Sequence, residues 1–211
     1  MMKLLPLSLL VALLLGLTSL TASAQSGTFS FDDGVGTPNA GTYTAGSSFT
    51  FAINMAFTHG GNVANLEGLS YWFEQQNPSA PFNFSITNRN ATASQFSFLQ
   101  TPGIVFPQAM SPSSASDLGG GTQSGSGVGD GTYLIANLTI SISPTAAAGV
   151  YVIENTTTAG KTSLLSDDLG HTLAIPRATY TITVVPEPSA GWLLLSAFPL
   201  AAVFGYRRAR S

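Results

Sequence analysis

Phe49, Phe51, Ile53, Met55 and Phe57 fall on every second position of a nine-residue run, with Thr50, Ala52, Asn54 and Ala56 between them. Successive side chains of an extended chain point to opposite faces, so this alternation predicts a strand with one buried face. Leu134, Ala136, Leu138, Ile140 and Ile142 repeat the pattern against Ile135, Asn137, Thr139 and Ser141, and Ala178, Tyr180, Ile182 and Val184 give a third run. Weaker strand candidates lie at 28–32, 69–75, 82–87, 95–99, 150–154 and 172–175. Between these tags of periodicity stand turn signals: Asp33-Gly34, His59-Gly60-Gly61-Asn62, Asn77-Pro78, Asp130-Gly131 and Ser143-Pro144. No segment from 26 to 185 keeps a helical period. About nine short strands, each with one apolar face, predict an all-β domain of two antiparallel sheets packed face to face, in the jelly-roll manner.

Composition narrows what such a domain can do. Only 8% of the 211 residues are charged, against roughly 25% in ordinary soluble domains. Between Ser26 and Val185 three basic residues (Arg89, Lys161, Arg177) stand against nine acidic ones, a net charge of −6. Such a surface repels phosphate backbones, which excludes nucleic acid as a partner class. The absence of cysteine excludes disulfides, thiolate metal sites, a cysteine nucleophile and a lipoprotein anchor. From Ser111 to Gly131 the chain is rich in Ser and Gly, a composition that predicts a mobile loop over 111–131.

The two ends read as processing segments around a domain spanning 26–185. Residues 1–24 have the layout of a signal peptide: Lys3, an apolar stretch from Leu4 to Leu17, then Ala22-Ser23-Ala24 in the small-x-small pattern of a cleavage site, which makes Gln25 the first residue of the mature chain. At the other end, Pro186-Glu187-Pro188 precedes an apolar run from Gly191 to Tyr206, followed by Arg207, Arg208 and Arg210. The run 191–206 is expected to form a transmembrane helix. As a helix it would be about 24 Å long, short of the ~30 Å hydrocarbon core, a gap that arginine snorkelling and local thinning cover. Trp192 and Tyr206 stand at its two ends, where interfacial aromatics belong, and the arginines place the C-terminus on the cytoplasmic side.

The order Pro186-Glu187-Pro188, apolar helix, arginine cluster resembles the PEP-CTERM sorting signal of bacterial proteins processed by exosortase, over 186–211. The resemblance implies a bacterial, exported exosortase substrate. It would be held transiently in the inner membrane, recognised at the motif by the processing enzyme, and delivered to the cell surface or an exopolysaccharide matrix. A second, softer resemblance covers the latter half of the domain. Gly131-Thr132-Tyr133-Leu134-Ile135-Ala136-Asn137-Leu138-Thr139-Ile140-Ser141-Ile142, then Ala148-Gly149-Val150-Tyr151-Val152-Ile153 and the closing Tyr180-Thr181-Ile182-Thr183-Val184, is similar to cohesin-like β-sandwich domains, relatives of carbohydrate-binding modules. It implies a fold and no contact residues.

Candidate chemistry is sparse. His59 and His171 lack a second His or Cys at ligand spacing, so neither predicts a metal site, and no cofactor is expected. No G-x-S-x-G elbow occurs. Glycosidase chemistry needs two carboxyl groups on one cleft. Glu67 and Glu74 differ in parity on a regular strand, and Glu154 cannot be placed against either from sequence. Asp32-Asp33 and Asp167-Asp168 are hard oxygen donors for calcium but more naturally turn residues. If Leu69, Tyr71 and Phe73 face the core, Trp72 shares the outer face with Ser70 and Glu74, where it is the candidate glycan contact. A covered Trp at a sheet edge is the alternative. The sequence thus predicts a non-enzymatic surface or matrix protein with a structural or interaction sandwich. The second reading is a carbohydrate-binding module tethering the protein to exopolysaccharide, and a polysaccharide hydrolase comes third.

Overall fold

The computed structural model describes residues 24–61, 64–76, 82–98, 104–123 and 127–187. The signal peptide through Ser23, including Ala22, and the C-terminal segment from Pro188 onward, including Trp192, Tyr206 and the arginines Arg207, Arg208 and Arg210, lie outside the described residues. Everything described is β-structure and connections: β1 (Ser26–Asp32), β2 (Ala40–Thr44), β3 (Ser48–Thr58), β4 (Leu66–Ser70), β5 (Glu74–Gln75), β6 (Phe84–Asn90), β7 (Gln108–Ala109), β8 (Gly120–Gly121), β9 (Gly131–Ile142), β10 (Gly149–Glu154), β11 (Leu164–Asp167), β12 (Thr172–Ala174) and β13 (Thr179–Val185). No helix among the described residues is long and apolar enough to cross a membrane.

Hydrogen bonding groups these strands into three sheets, in the orders β1-β3-β9-β6-β7, β2-β13-β10-β5 and β12-β11-β4-β8. The all-β expectation holds; the division into two purely antiparallel sheets does not. The second and third sheets are separate hydrogen-bonded groups because the chain breaks strand geometry at 71–73, leaving β4 in one and β5 in the other. The closing strand β13 also runs parallel to β2, from Thr181 opposite Ala40 to Val185 opposite Thr44.

β3 behaves as its alternation dictates: Phe49, Phe51, Ile53, Met55 and Phe57 are all buried. β9 departs from its pattern halfway. Opposite β3 the pairing steps from Ile53↔Ala136 to Asn54↔Leu134, so Ile135 is an extra residue in the ladder. A bulge of this kind flips side-chain parity. Ile135 is therefore buried and Leu134 only half-buried, the reverse of the expectation for those two positions.

One core joins the three sheets. Phe31 of β1 packs edge-on against Phe51 of β3 and against Phe73, with ring centroids 5.5 Å apart in both pairs. Tyr180 of β13 stacks on Phe51 at 5.1 Å. Phe31, Phe51, Phe73 and Tyr180 are fully buried, and side chains of this size each stabilise the fold by about 1.5–3 kcal/mol through burial.

The Ser/Gly-rich segment is not a loose loop where it is described. Ser111, Ala115, Leu118 and Thr122 are buried, and β8 pairs with β4. Its glycines pack because they lack side chains: a Cβ on Gly120 would stand 2.3 Å from the Phe96 carbonyl oxygen. Two of the three basic residues of the domain hold this segment down, Arg89 donating to the carbonyls of Leu118 and Gly119 and Lys161 to that of Ala115.

Candidate ligand-binding site

Among the described residues a concavity lies where the β1–β2 connection folds over the parallel β2–β13 pair. Asp32 and Asp33 begin that connection as turn formers: the Gly34 N–H donates to Asp32 Oδ1 at 2.8 Å and the Val35 N–H to Asp33 Oδ1 at 2.9 Å. At its far end Asn39 adopts φ 62° and its side chain accepts the Phe31 N–H at 2.7 Å. The connection is thus pinned at both ends, and it carries the second carboxylate oxygen of Asp33 to two phenols. Tyr43 donates a short hydrogen bond to Asp33 Oδ2, Tyr180 donates to the same oxygen at 3.0 Å, and the two hydroxyls are 2.6 Å apart.

Gly41 makes this convergence possible. A Cβ there would stand 2.2 Å from Tyr43 Oη and 2.6 Å from Tyr180 Oη, so any side chain would displace both phenols. Tyr43 is fixed from its other side by Phe49, stacked at 3.9 Å and 12°. Burial alone would raise the Asp33 pKa, but the hydrogen bonds from Tyr43, Val35 and Tyr180 outweigh it and hold the carboxyl below its ordinary value. Tyr43 is pushed upward by burial and by its bond to Asp33, and Tyr180 is pushed up to about 12, burial again being the main cause. Two neutral phenols therefore present a fixed, ionised carboxylate at neutral pH.

Beside it is a cavity of about 520 Å³, within the range of small-molecule sites. Val35 and Phe49 give it apolar surface, and Thr37, Thr42, Thr50 and Thr183 line it with hydroxyl-bearing side chains. From sequence Asp33 stands out only as a turn residue and a candidate calcium donor; β2 has no alternation, and the meeting of Asp33 with Tyr43 and Tyr180 depends on the parallel register.

The other residues singled out from sequence lie elsewhere. Leu69, Tyr71 and Phe73 are buried as expected, and Trp72 between them is half-buried, in the connection from β4 to β5 rather than on a regular strand face. Glu74, expected on the same outer face, is buried, because the chain changes sheet there. Glu154, which sequence could not place, stands directly opposite Glu74 in the β5–β10 register. Both are 1% exposed, so the two carboxyl groups meet in the interior and not across an open cleft. Arg177 Nη1 lies 3.4 Å from Glu154 Oε2, and Glu74 accepts the Thr158 N–H at 2.7 Å. Burial raises the Glu74 pKa, against the Thr158 hydrogen bond, and the facing Glu154 raises it further.

His59 and His171 close turns. His59 Nδ1 lies against Asp130, whose Oδ1 also accepts the His59 N–H at 2.7 Å. His171 Nδ1 is 2.9 Å from Asp167 Oδ2. Asp168 accepts from the backbone and side chain of Asn65. The paired aspartates thus act as turn and loop ties, and among the described residues no three His, Cys, Asp or Glu converge as a metal site would require. Ala24 is exposed two residues before β1, and Pro186 and Glu187 are exposed immediately after β13.

The order and pairing of these strands define a cohesin-like β-sandwich. A cohesin module from the Clostridium perfringens family 33 glycoside hydrolase superposes with a TM-score of 0.50 at 14% identity, covering 78% of this chain and 99% of its own. The Clostridium acetobutylicum cohesin CaCohA2, in complex with CaDoc0917, gives 0.51 at 12% identity over 76% and 100%. The third ScaB cohesin of R. flavefaciens, in complex with a group 1 dockerin, gives 0.50 at 12% over 79% and 99%. At these identities the likeness is one of fold. No protein-family model and no curated protein matches the sequence.

Proposed function

We propose that this chain is an exported bacterial interaction module, held at the inner membrane by its C-terminal segment, processed there by an exosortase-type enzyme and delivered to the cell surface or extracellular matrix. The observation that carries this reading is where the fold closes. β13 is hydrogen-bonded on both sides, to β2 and β10, and ends at Val185, directly before Pro186-Glu187-Pro188. The last described strand thus ends upstream of the apolar run and the arginines, which supports reading them as a segment apart from the sandwich. The fold shared with cohesins, two of them solved in complex with partner modules, supports an interaction role for the sandwich and not a catalytic one.

The test is fractionation of cells producing the full chain or a chain lacking 191–211. The full chain is expected in the inner-membrane fraction before processing, and the truncated chain, still folded, in the periplasm or medium. Membrane retention of the truncated chain would refute the anchor.

A second reading, a module that tethers the protein to exopolysaccharide, is favoured by the polar cavity beside Asp33. Trp72 remains a candidate glycan contact in that reading. Polysaccharide pull-down with wild-type, Asp33→Asn and Trp72→Ala proteins separates the two surfaces: the variant that loses binding marks the one in use.

A further inference from the structure

We propose that the cavity between the β1–β2 connection and the β2–β13 pair binds a sugar residue carrying a free primary amine, as in an N-deacetylated hexosamine polysaccharide, with its ammonium against Asp33 and its ring hydroxyls against Thr37, Thr42 and Thr183. This rests on the glycan-tether reading and names the class of glycan.

The charge of the site sets the first requirement. Among the described residues the hydrogen-bond partners of the Asp33 carboxylate are neutral donors: two tyrosine hydroxyls, the Val35 N–H and its own backbone N–H. The three basic residues of the domain bond elsewhere, Arg89 to Leu118 and Gly119, Lys161 to Ala115, and Arg177 to Glu154. A fixed carboxylate at the edge of a cavity, supplied with donors but with no cation among them, is complementary to an ammonium ligand, because a charge-assisted hydrogen bond is roughly twice as strong as a neutral one.

The walls set the second requirement. A lysine side chain would bring an ammonium on a plain alkyl stem. It would fill little of about 520 Å³ and make no use of the hydroxyls of Thr37, Thr42 and Thr183. A hexosamine matches both parts of the lining: its hydroxyls meet threonines, and its C–H surface meets the exposed Val35. Flat stacking on Tyr43 is not the mode of binding, since one face of that ring is taken by Phe49 and the phenol lies over Gly41.

Preorganisation supports the assignment. The phenols are held by core packing and by the absence of a side chain at Gly41, so the carboxylate needs no rearrangement before a ligand arrives.

The test is titration calorimetry of the full chain, in mild detergent, with a glucosamine hexamer, an N-acetylglucosamine hexamer, cellohexaose and a lysine-rich hexapeptide. The glucosamine hexamer is expected to bind. Asp33→Asn should weaken it by roughly tenfold to a hundredfold, the range for losing a charged hydrogen bond. Thr42→Val should weaken it several-fold, and binding should fall as pH rises and the amine loses its proton. Equal binding of the acetylated and neutral hexamers overturns the amine while leaving the glycan reading standing, and binding of no glycan overturns both. A peptide that binds as well as the glucosamine hexamer overturns the sugar. If Asp33→Asn does not fold, as judged by circular dichroism, Thr42→Val decides the location, and undiminished binding by that variant overturns it.

Discussion

Asp33, in the connection that folds over the β2 edge of the four-stranded sheet, and Glu74, in β5 at its opposite edge, illustrate two fates of a carboxyl group. Asp33 is approached by two phenols and a backbone N–H, and these donors win over burial, so its pKa falls. Glu74 also has a donor, the Thr158 N–H, but burial and the facing Glu154 win and its pKa rises. The difference lies in what stands opposite. One carboxylate faces neutral donors at the rim of a cavity and stays charged toward solvent. The other faces a second carboxylate in the interior, with only the half-exposed Arg177 to offset it. The first is shifted toward its charged form and the second toward its protonated form.

The sharpest way to break the first arrangement is Tyr180→Ala. It removes a fully buried ring that stacks on Phe51 and Phe49 as well as a donor to Asp33, and is expected to destabilise the domain by about 3–5 kcal/mol, read from denaturant midpoints. On the other side of the sheet, Arg177→Ala leaves two facing carboxyls without a cation. Loss of a buried partner is worth 3–5 kcal/mol, and because Arg177 is half-exposed about 2 kcal/mol is expected. Adding Glu154→Gln should recover part of that loss, and a double variant no more stable than Arg177→Ala would show that the pair is not what Arg177 serves. Gly41→Ala should cost about 1–2 kcal/mol through overpacking against the two phenols, with a matching loss of any ligand binding at Asp33.

The smallest effects are in pH dependence, where the two carboxyls should differ in sign. The raised Glu74 pKa means that the folded chain holds its proton more tightly than the unfolded one. Its contribution to stability is full below the ordinary value of 4.5 and declines as pH rises through the raised value. The lowered Asp33 pKa does the reverse: its contribution is full above 3.8 and is lost as pH falls through the lowered value. Unfolding measured across acid to neutral pH should therefore show Glu74→Gln flattening the decline above 4.5 and Asp33→Asn flattening the loss below 3.8. Identical slopes for the two variants would erase the comparison.

Much of the scaffold could be read from side-chain period, and little of the site could. β3 was plain because five large apolar residues alternate over its length and no bulge interrupts them. β13 was plain for the same reason. β9 misled at one point, since an extra residue at Ile135 changes parity without leaving any mark in composition. β2 and β11 went unread: Ala40-Gly41-Thr42-Tyr43-Thr44 has no apolar face of its own, and Leu164-Leu165-Ser166-Asp167 is too short to show a period. The Ser/Gly segment carries no side-chain period, yet close backbone approach, as at Gly120 against Phe96, is itself a form of packing that composition does not show. Asp33, Tyr43 and Tyr180 are up to 147 residues apart in the chain, and Glu74 and Glu154 meet only through strand register. Such pairings are set by tertiary topology, and local pattern does not encode them.

The parallel run of β2 beside β13 also has a mechanical consequence. A pull on the chain beyond Val185 is directed along β13, so its bonds to β2 on one side and β10 on the other are loaded together in shear and cannot be peeled apart one at a time. The Asp33 cavity leans on that same pair of strands. Because Phe49 and Thr50 of β3 also line the cavity, tension between the chain beyond Val185 and anything gripped there would pass through β2, β13 and β3 together.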